Sequence, residues 1–97
     1  MLTSKQKAYL KSLAHKLEYT YQLGKNEITP ELLDMLSKAL LANELVKIHV
    51  LKASLTPIRE TALDLAGALR ADIVQIIGRH VVLYKPNLKD RKIKLPQ

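Results

Sequence analysis

Two threonine–proline steps, Thr29-Pro30 and Thr56-Pro57, constrain the fold more than any other feature of the sequence. A threonine hydroxyl can cap a helix, and proline suits the first helical position because its missing N–H group would be unpaired there anyway. Apolar residues recur at helical spacing after each step, whereas over residues 44–51 they alternate with polar residues, as in a strand. The pattern therefore predicts two helices, ending near Asn43 and Arg70, with a strand between them.

The remaining sequence predicts one more helix and three more strands. Thr3 or Ser4 can cap a first helix that runs to about Lys16. Residues 18–23 have the composition of a short strand, and β-branched runs on both sides of Gly78-Arg79 indicate a hairpin with glycine at its bend. The hairpin strands are predicted at residues 72–77 and 80–84.

This order of elements predicts one α/β (α+β) domain over residues 1–86. Alternating helices and strands favour parallel pairing through helical crossovers, and the final hairpin adds an antiparallel pair. We therefore expect a mixed four-stranded sheet with helices packed on it. Residues 87–97 are polar and basic, and are predicted to form an extended C-terminal tail. A chain of 97 residues can fold without disulfides or metal, and this one has no cysteine.

The net charge of +7 is concentrated at the two ends of the sequence. Residues 1–22 hold four lysines against one glutamate, and residues 79–97 hold six basic residues against one acidic residue. Clustered cations favour a polyanionic partner, because binding releases the counterions condensed on its phosphates. A basic tail that only aids solubility would explain the charge equally well. No apolar run approaches the roughly 18 residues of a membrane span, so we expect a soluble, cytoplasmic protein.

Two features could contact phosphate. The loop at residues 23–30 joins a predicted strand to a helix start and contains Gly24, which allows close backbone approach, and Lys25, which adds a mobile charge. Taken alone, such a loop is more often a simple turn. Lys7, Lys11 and His15 are spaced four apart and therefore lie along one stripe of the first helix. The chain lacks Phe and Trp, so we expect phosphate contacts and not an aromatic stacking platform.

Catalytic patterns are absent from the sequence. His15, His49 and His80 have no partner four residues away and no nearby carboxylate pattern, which argues against a metal site. The serines lack a nucleophile-elbow context, and Gly24 stands without the further glycines of a nucleotide-binding fingerprint. We therefore expect a protein that is not an enzyme and that uses no cofactor, metal or small-molecule substrate. A small hydrolase or transferase is a distant alternative.

Five sequence blocks carry a resemblance to a known family over nearly the whole chain. The blocks are Lys5-Gln6-Lys7 with Leu10-Lys11-Ser12-Leu13-Ala14-His15, then Leu23-Gly24-Lys25-Asn26, Glu44-Leu45-Val46-Lys47-Ile48, Gln75-Ile76-Ile77-Gly78 and Val82-Leu83-Tyr84-Lys85. Together they closely resemble the CRM-domain, YhbY-like RNA-binding proteins. The resemblance implies a fold similar to the C-terminal domain of translation initiation factor 3. It also implies RNA binding, because stand-alone bacterial members are associated with the pre-50S ribosomal subunit and its assembly.

The loop departs from the family pattern at one position. That pattern is Gly-x-x-Gly, whose backbone amides clamp the nucleic-acid backbone in KH domains, but here the second glycine is replaced by Glu27. Either Glu27 turns away and caps the following helix, or the contact rests more on Gly24, Lys25 and the basic ends.

The leading hypothesis is a monomeric protein that binds ribosomal RNA during large-subunit assembly. The alternative is a protein-interaction module that docks on a ribosomal protein or assembly factor. The predicted RNA-binding residues are Lys7, Lys11, His15, Gly24, Lys25, Asn26, Lys47, Arg79 and Lys85.

Overall fold

A computed structural model describes residues 2–17, 21–24, 28–51, 57–91 and 93–96. Three helices alternate with strands, and a hairpin follows the last helix, so the predicted α+β class and element order are confirmed. The elements are α1 (Ser4–His15), β1 (Tyr21–Leu23), α2 (Pro30–Asn43), β2 (Leu45–Val50), α3 (Ile58–Leu69), β3 (Asp72–Ile77) and β4 (His80–Tyr84).

Side-chain caps fix the starts of the first two helices. Thr3 and Gln6 form a reciprocal capping box on α1, in which each side chain accepts the other's backbone N–H at 3.1 Å. The Thr29 hydroxyl accepts the N–H of Leu32 at 3.1 Å, and α2 starts at the following proline, as predicted. Helix α3 starts differently, because Pro57 occupies the position before its first residue and makes no side-chain cap. The predicted capping residue of α3, Thr56, lies outside the described residues.

The four strands form one mixed sheet in the order β1-β2-β4-β3. Strands β1 and β2 are parallel, and β4 pairs antiparallel with both β2 and β3. Gly78 is the first residue of the two-residue turn between β3 and β4, and its φ of 56° is a conformation that glycine adopts without steric cost. The last strand of the sequence therefore occupies an interior position in the sheet.

Side chains from the sheet alternate between two separate core layers. On one face, α2 and α3 cover the alternate positions Val46, Ile48 and Val50 of β2, as the period-two pattern predicted. On the other face, α1 covers one end of the sheet through Leu10 and Ala14. The sheet residues beneath α1 are Leu45, Val74, Val82 and Tyr84.

The C-terminal segment predicted as a tail from residue 87 packs against the domain. Its described residues form no helix or strand, but Ile93 and Leu95 join the core layer beneath α1. The fully buried Glu44 carboxylate accepts the backbone N–H groups of Asn87 and Ile93, both at 2.6 Å. The Gln6 side-chain amide donates to the Pro96 carbonyl at 3.1 Å. The sequence boundary at residue 86 therefore does not separate a free tail from the domain.

None of the helices in the described ranges is long and apolar enough to cross a membrane.

Candidate nucleic-acid interface

An open groove of about 490 Å³ runs along β3, one of the two edge strands of the described sheet. Helices α1 and α3 lie on opposite faces of the sheet, and each contributes side chains to one wall of the groove. The spacing of four between Lys7 and Lys11 places both on one stripe of α1, while Leu10 turns into the core. The lining residues are Lys7, Lys11, Arg59, Leu63, Ile73, Val74, Gln75 and Ile76.

Among the described residues, the groove walls carry three cationic side chains and no carboxylate. Lys7 and Lys11 line the α1 wall, and Arg59 lines the α3 wall. None of the three forms an ion pair with another residue in the described ranges. Their charges therefore remain available for a ligand, and an arginine fork with two ammonium groups suits the oxygens of successive phosphates.

His15 and Lys47 lie near the groove but are not part of its lining. His15 belongs to α1, and Lys47 belongs to the sheet face that α1 covers. His15 is exposed at the C-terminal end of α1, on the same stripe as the two groove lysines. Lys47 is half-buried on β2, opposite Val82 of β4 and on the same face as α1. The stripe predicted from the sequence is therefore present, although only its first two members border the groove.

Arg79 has a structural position that the sequence did not predict. Its Nε donates to the Val50 carbonyl at 2.7 Å, and its Nη2 donates to the Leu51 carbonyl at 2.9 Å. Its own backbone carbonyl accepts the N–H of Val50 at 2.8 Å. The side chain thus ties the β3–β4 turn to the end of β2, which leaves fewer of its five N–H donors for RNA.

Lys85 lies apart from the groove, directly after β4. Its backbone N–H donates to the Glu44 carbonyl at 2.9 Å. Its side chain lines a second, smaller cavity of about 220 Å³ beside α2, together with Ser37, Leu40, Leu41, Pro86 and Asn87. Lys85 therefore lines a different cavity from Lys7, Lys11 and Arg59.

Within the predicted phosphate loop, Gly24 is described, whereas Lys25, Asn26 and Glu27 lie outside the described residues. A Cβ atom placed on Gly24 would meet the Leu51 side chain at 3.7 Å, which is an ordinary van der Waals contact. The backbone at Gly24 is not left-handed. Neither packing nor backbone conformation in this protein therefore requires glycine at this position.

Sequence reasoning missed Arg59 and the contact between two histidines. Arg59 is followed by Glu60 in the mixed-charge first turn of α3, and only the packing of α3 beside the edge strand places it opposite the lysines of α1. His49 and His80 are stacked across β2 and β4, with ring centroids 4.6 Å apart and ring planes at 14°. No local pattern predicts this contact, because 31 positions separate the two residues. Within the described ranges, no group of three His, Cys, Asp or Glu residues could hold a metal ion.

Comparison with known proteins gives matches over nearly the full length of the chain. A family model described as CRS1 / YhbY (CRM) domain matches residues 2–85. The probable RNA-binding protein YqeI of Bacillus subtilis is 38% identical over 96 residues, covering 99% of this chain and 100% of that protein. An RNA-binding protein of Haemophilus influenzae is 39% identical over 100 residues, covering 99% of this chain and 96% of that protein.

A solved structure has the same fold. The solution structure of the hypothetical protein SAV1595 from Staphylococcus aureus matches with a TM-score of 0.81 at 38% identity, covering 99% of this chain and 100% of that one. The groove lies between residues 7 and 76 and is therefore contained in the matched family range.

Proposed function

Because the chain belongs to the CRS1 / YhbY (CRM) domain family, as the five sequence blocks predicted, we propose that it binds RNA through phosphate contacts in the groove along β3. The observation that carries this proposal is the convergence of Lys7, Lys11 and Arg59 around an open groove that none of the described carboxylates lines. Relatives from Bacillus subtilis and Haemophilus influenzae bear names that describe RNA binding, which supports the same chemistry here.

The groove favours the nucleic-acid backbone as the bound element. Its cations come from two helices on either side of an edge strand, so a chain of phosphates laid along the strand can meet charge from both walls. Leu63 on the α3 wall is 58% exposed and could contact a sugar or base between phosphates. The predicted loop at Gly24, Lys25 and Asn26 remains a separate proposed contact.

The cellular target that we propose is ribosomal RNA in the pre-50S particle, where the protein acts as a monomer without catalytic activity. This finer proposal rests on the family resemblance of the sequence blocks, and the excess positive charge of the chain supports a polyanionic target. Crosslinking the protein to RNA in cell extract and sequencing the bound fragments tests the target directly. Recovery of messenger or transfer RNA in place of large-subunit RNA would overturn it.

Salt dependence tests the phosphate mechanism in the groove. We expect the affinity for a labelled RNA hairpin, measured by fluorescence anisotropy, to fall with salt with a log–log slope of about −0.7 to −0.9 per phosphate contacted. The triple variant Lys7→Gln, Lys11→Gln, Arg59→Gln should make this slope shallower by about 2 to 3, because three contacts are lost.

Lys38→Gln is the matched control for this experiment. Lys38 is an exposed cation on α2 that pairs with Asp34 at 3.0 Å and lies outside the groove lining. Its replacement should leave the slope nearly unchanged. If the triple variant and the control bind RNA equally well, the groove is not the phosphate site. If the triple variant still associates with ribosomal particles but no longer binds the isolated RNA hairpin, docking on a ribosomal protein is the better explanation.

A further inference from the structure

Helix α1 covers only one end of its sheet face, and none of the described helices covers the other end. Beyond the core beneath α1, one row of side chains crosses all four strands. In this row Gln22 pairs with His49, His49 with His80, and His80 with Ile77. Gln22 is exposed, Ile77 is 51% exposed, and both histidines are half-buried. The open end of the face is therefore centred on an imidazole pair.

The geometry of the pair leaves its hydrogen-bond donors unused. The rings of His49 and His80 are nearly parallel, with centroids 4.6 Å apart. Ring N–H groups point outward in the ring plane, so two stacked imidazoles cannot donate to each other. Neither side chain has a hydrogen bond to another residue within the described ranges. Their N–H groups are therefore available to a ligand that approaches the ring edges.

The charged surroundings of the pair are cationic. Lys47 lies on the same face of β2, two residues before His49. Burial, and then the neighbouring His49 and Lys47, lower the pKa of His80 below its usual value of 6.5. The neighbouring strands present uncharged Gln22 and Ile77 to the pair, and Gln75 pairs with Val82 in the next row.

Arg79 precedes His80, and its guanidinium group donates to the Val50 and Leu51 carbonyls at this same end of the sheet. The other charged groups lie farther along the sheet. The acidic residue Asp72 is exposed at the opposite end of β3, where it pairs with Tyr84. Helix α1 contributes Lys7 and Lys11 at the β3 edge, and His15 at its C-terminal end. The described residues around the pair therefore supply positive charge and no adjacent carboxylate.

We propose that Lys47, His49 and His80 form a second RNA contact, a phosphate-binding site whose affinity increases as the imidazoles take up protons. This inference rests on the proposed function and adds a site and a pH dependence to it. A phosphate oxygen at the ring edges would accept hydrogen bonds from the imidazoles and would lie near the Lys47 ammonium group. It would also counter the mutual repulsion of the cations, and so favour the protonated form of the pair.

Proton linkage fixes the direction of the effect. A ligand that binds the protonated form raises the histidine pKa, so binding takes up protons and becomes tighter as pH falls. If binding raises one histidine pKa by about one, affinity increases by up to about tenfold across the titration. We expect RNA to bind about three- to tenfold more tightly at pH 5.5 than at pH 7.5.

The three histidines of the chain allow an internally controlled experiment. Anisotropy titrations of a labelled RNA hairpin at both pH values would compare the wild type with His49→Gln, His80→Gln, His15→Gln and the control variant Lys38→Gln. Glutamine stays neutral at both pH values and retains a side-chain N–H donor. Replacing either sheet histidine should remove most of the pH dependence, whereas Lys38→Gln should retain it. His15→Gln tests whether the exposed histidine of α1 is the source of the pH dependence instead. A wild-type affinity that is equal at the two pH values, or a pH dependence removed only by His15→Gln, would overturn the proposal.

A second measurement keeps the test independent of any effect of substitution on folding. Proton NMR titration of the histidine Cε1–H signals in the wild-type protein reports each imidazole separately, with and without RNA. RNA should raise the pKa of His80 and should shift the Cε1–H signals of both sheet histidines. Absence of RNA binding at pH 7.5 in low salt would count against the proposed function itself. RNA binding at pH 7.5 without any change in the Cε1–H titration curves of both sheet histidines would count against this second site alone.

Discussion

Replacing Glu44 with glutamine tests the packing of the C-terminal segment on the domain. Both carboxylate oxygens of Glu44 accept backbone N–H groups at 2.6 Å, from Asn87 and from Ile93, and the side chain is fully buried. Glutamine has nearly the same shape, but it keeps one acceptor and places an NH₂ donor against the other backbone N–H. The substitution therefore removes one charge-assisted hydrogen bond and weakens the second. It also places the new side-chain NH₂ group against a backbone N–H group, so that two donors face each other.

The expected loss follows from these contacts. A hydrogen bond to a charged group contributes about 1.5–3 kcal/mol, and a buried donor left unpaired costs about 1–3 kcal/mol. Release of the segment limits the loss, because its N–H groups can then reach water at the cost of exposing the half-buried Ile93 and Leu95. We expect the free energy of unfolding to fall by about 3 kcal/mol, and the melting temperature to fall by about 12–24 °C for a domain of this size.

Urea unfolding at pH 7.5, followed by circular dichroism, measures this change. Glu31→Gln is the matched control, because Glu31 is an exposed carboxylate in the first turn of α2 and should cost less than about 1 kcal/mol. Hydrogen exchange should also become faster at the amides of Asn87 and Ile93 in the Glu44 variant. The role assigned to the carboxylate would be refuted if the Glu44 variant lost no more unfolding free energy than the control and both amides remained protected from hydrogen exchange.

Three further predictions concern other positions. Gly24→Ala should leave the melting temperature unchanged or slightly raised, because the added Cβ meets only ordinary contacts. The same substitution should weaken RNA binding if the loop backbone approaches phosphate, and unchanged binding would count against the loop contact. Tyr84→Phe should change stability by less than about 1 kcal/mol at pH 7.5, since the buried hydroxyl has no hydrogen-bond partner among the described residues. Burial, and then Glu44, raise the pKa of Tyr84 above its usual 10.0. The contribution of the neutral phenol to stability should therefore be retained below pH 10 and lost as pH rises above it. In urea unfolding at high pH, the resulting fall in stability should be smaller in Tyr84→Phe than in the wild type. Arg79→Gln should lower the free energy of unfolding by about 2 kcal/mol, because two hydrogen bonds from a charged group to strand-end carbonyls are lost; a stability equal to the wild type would show that these bonds contribute little.

Local signals were sufficient to predict most of the elements. The Thr29-Pro30 step gave the start of α2, because the cap and the missing proline N–H act within one helical turn. The two strands flanking the Gly78 turn have the predicted bounds, since a two-residue hairpin fixes its own register. In these cases the stabilising contacts lie within a few residues of the signal, so the sequence records them directly.

Contacts between distant segments could not be predicted from such local signals. Glu44 was interpreted as the start of a strand, yet its buried carboxylate binds amides 43 and 49 residues later. Arg79 was predicted as an RNA-binding residue, and charge alone did not reveal the strand-end carbonyls that its side chain reaches. Arg59 has no distinguishing neighbour in the sequence, and only the docking of α3 beside β3 places it in the groove.

The interior position of β4 has a consequence for how the protein folds during synthesis. Strand β4 is the last strand to leave the ribosome, but β2 and β3 pair with it and not with each other. Until residues 80–84 are available, both earlier strands expose an unpaired edge that can join another chain. Folding should therefore be a late, cooperative event that depends on contacts between distant residues.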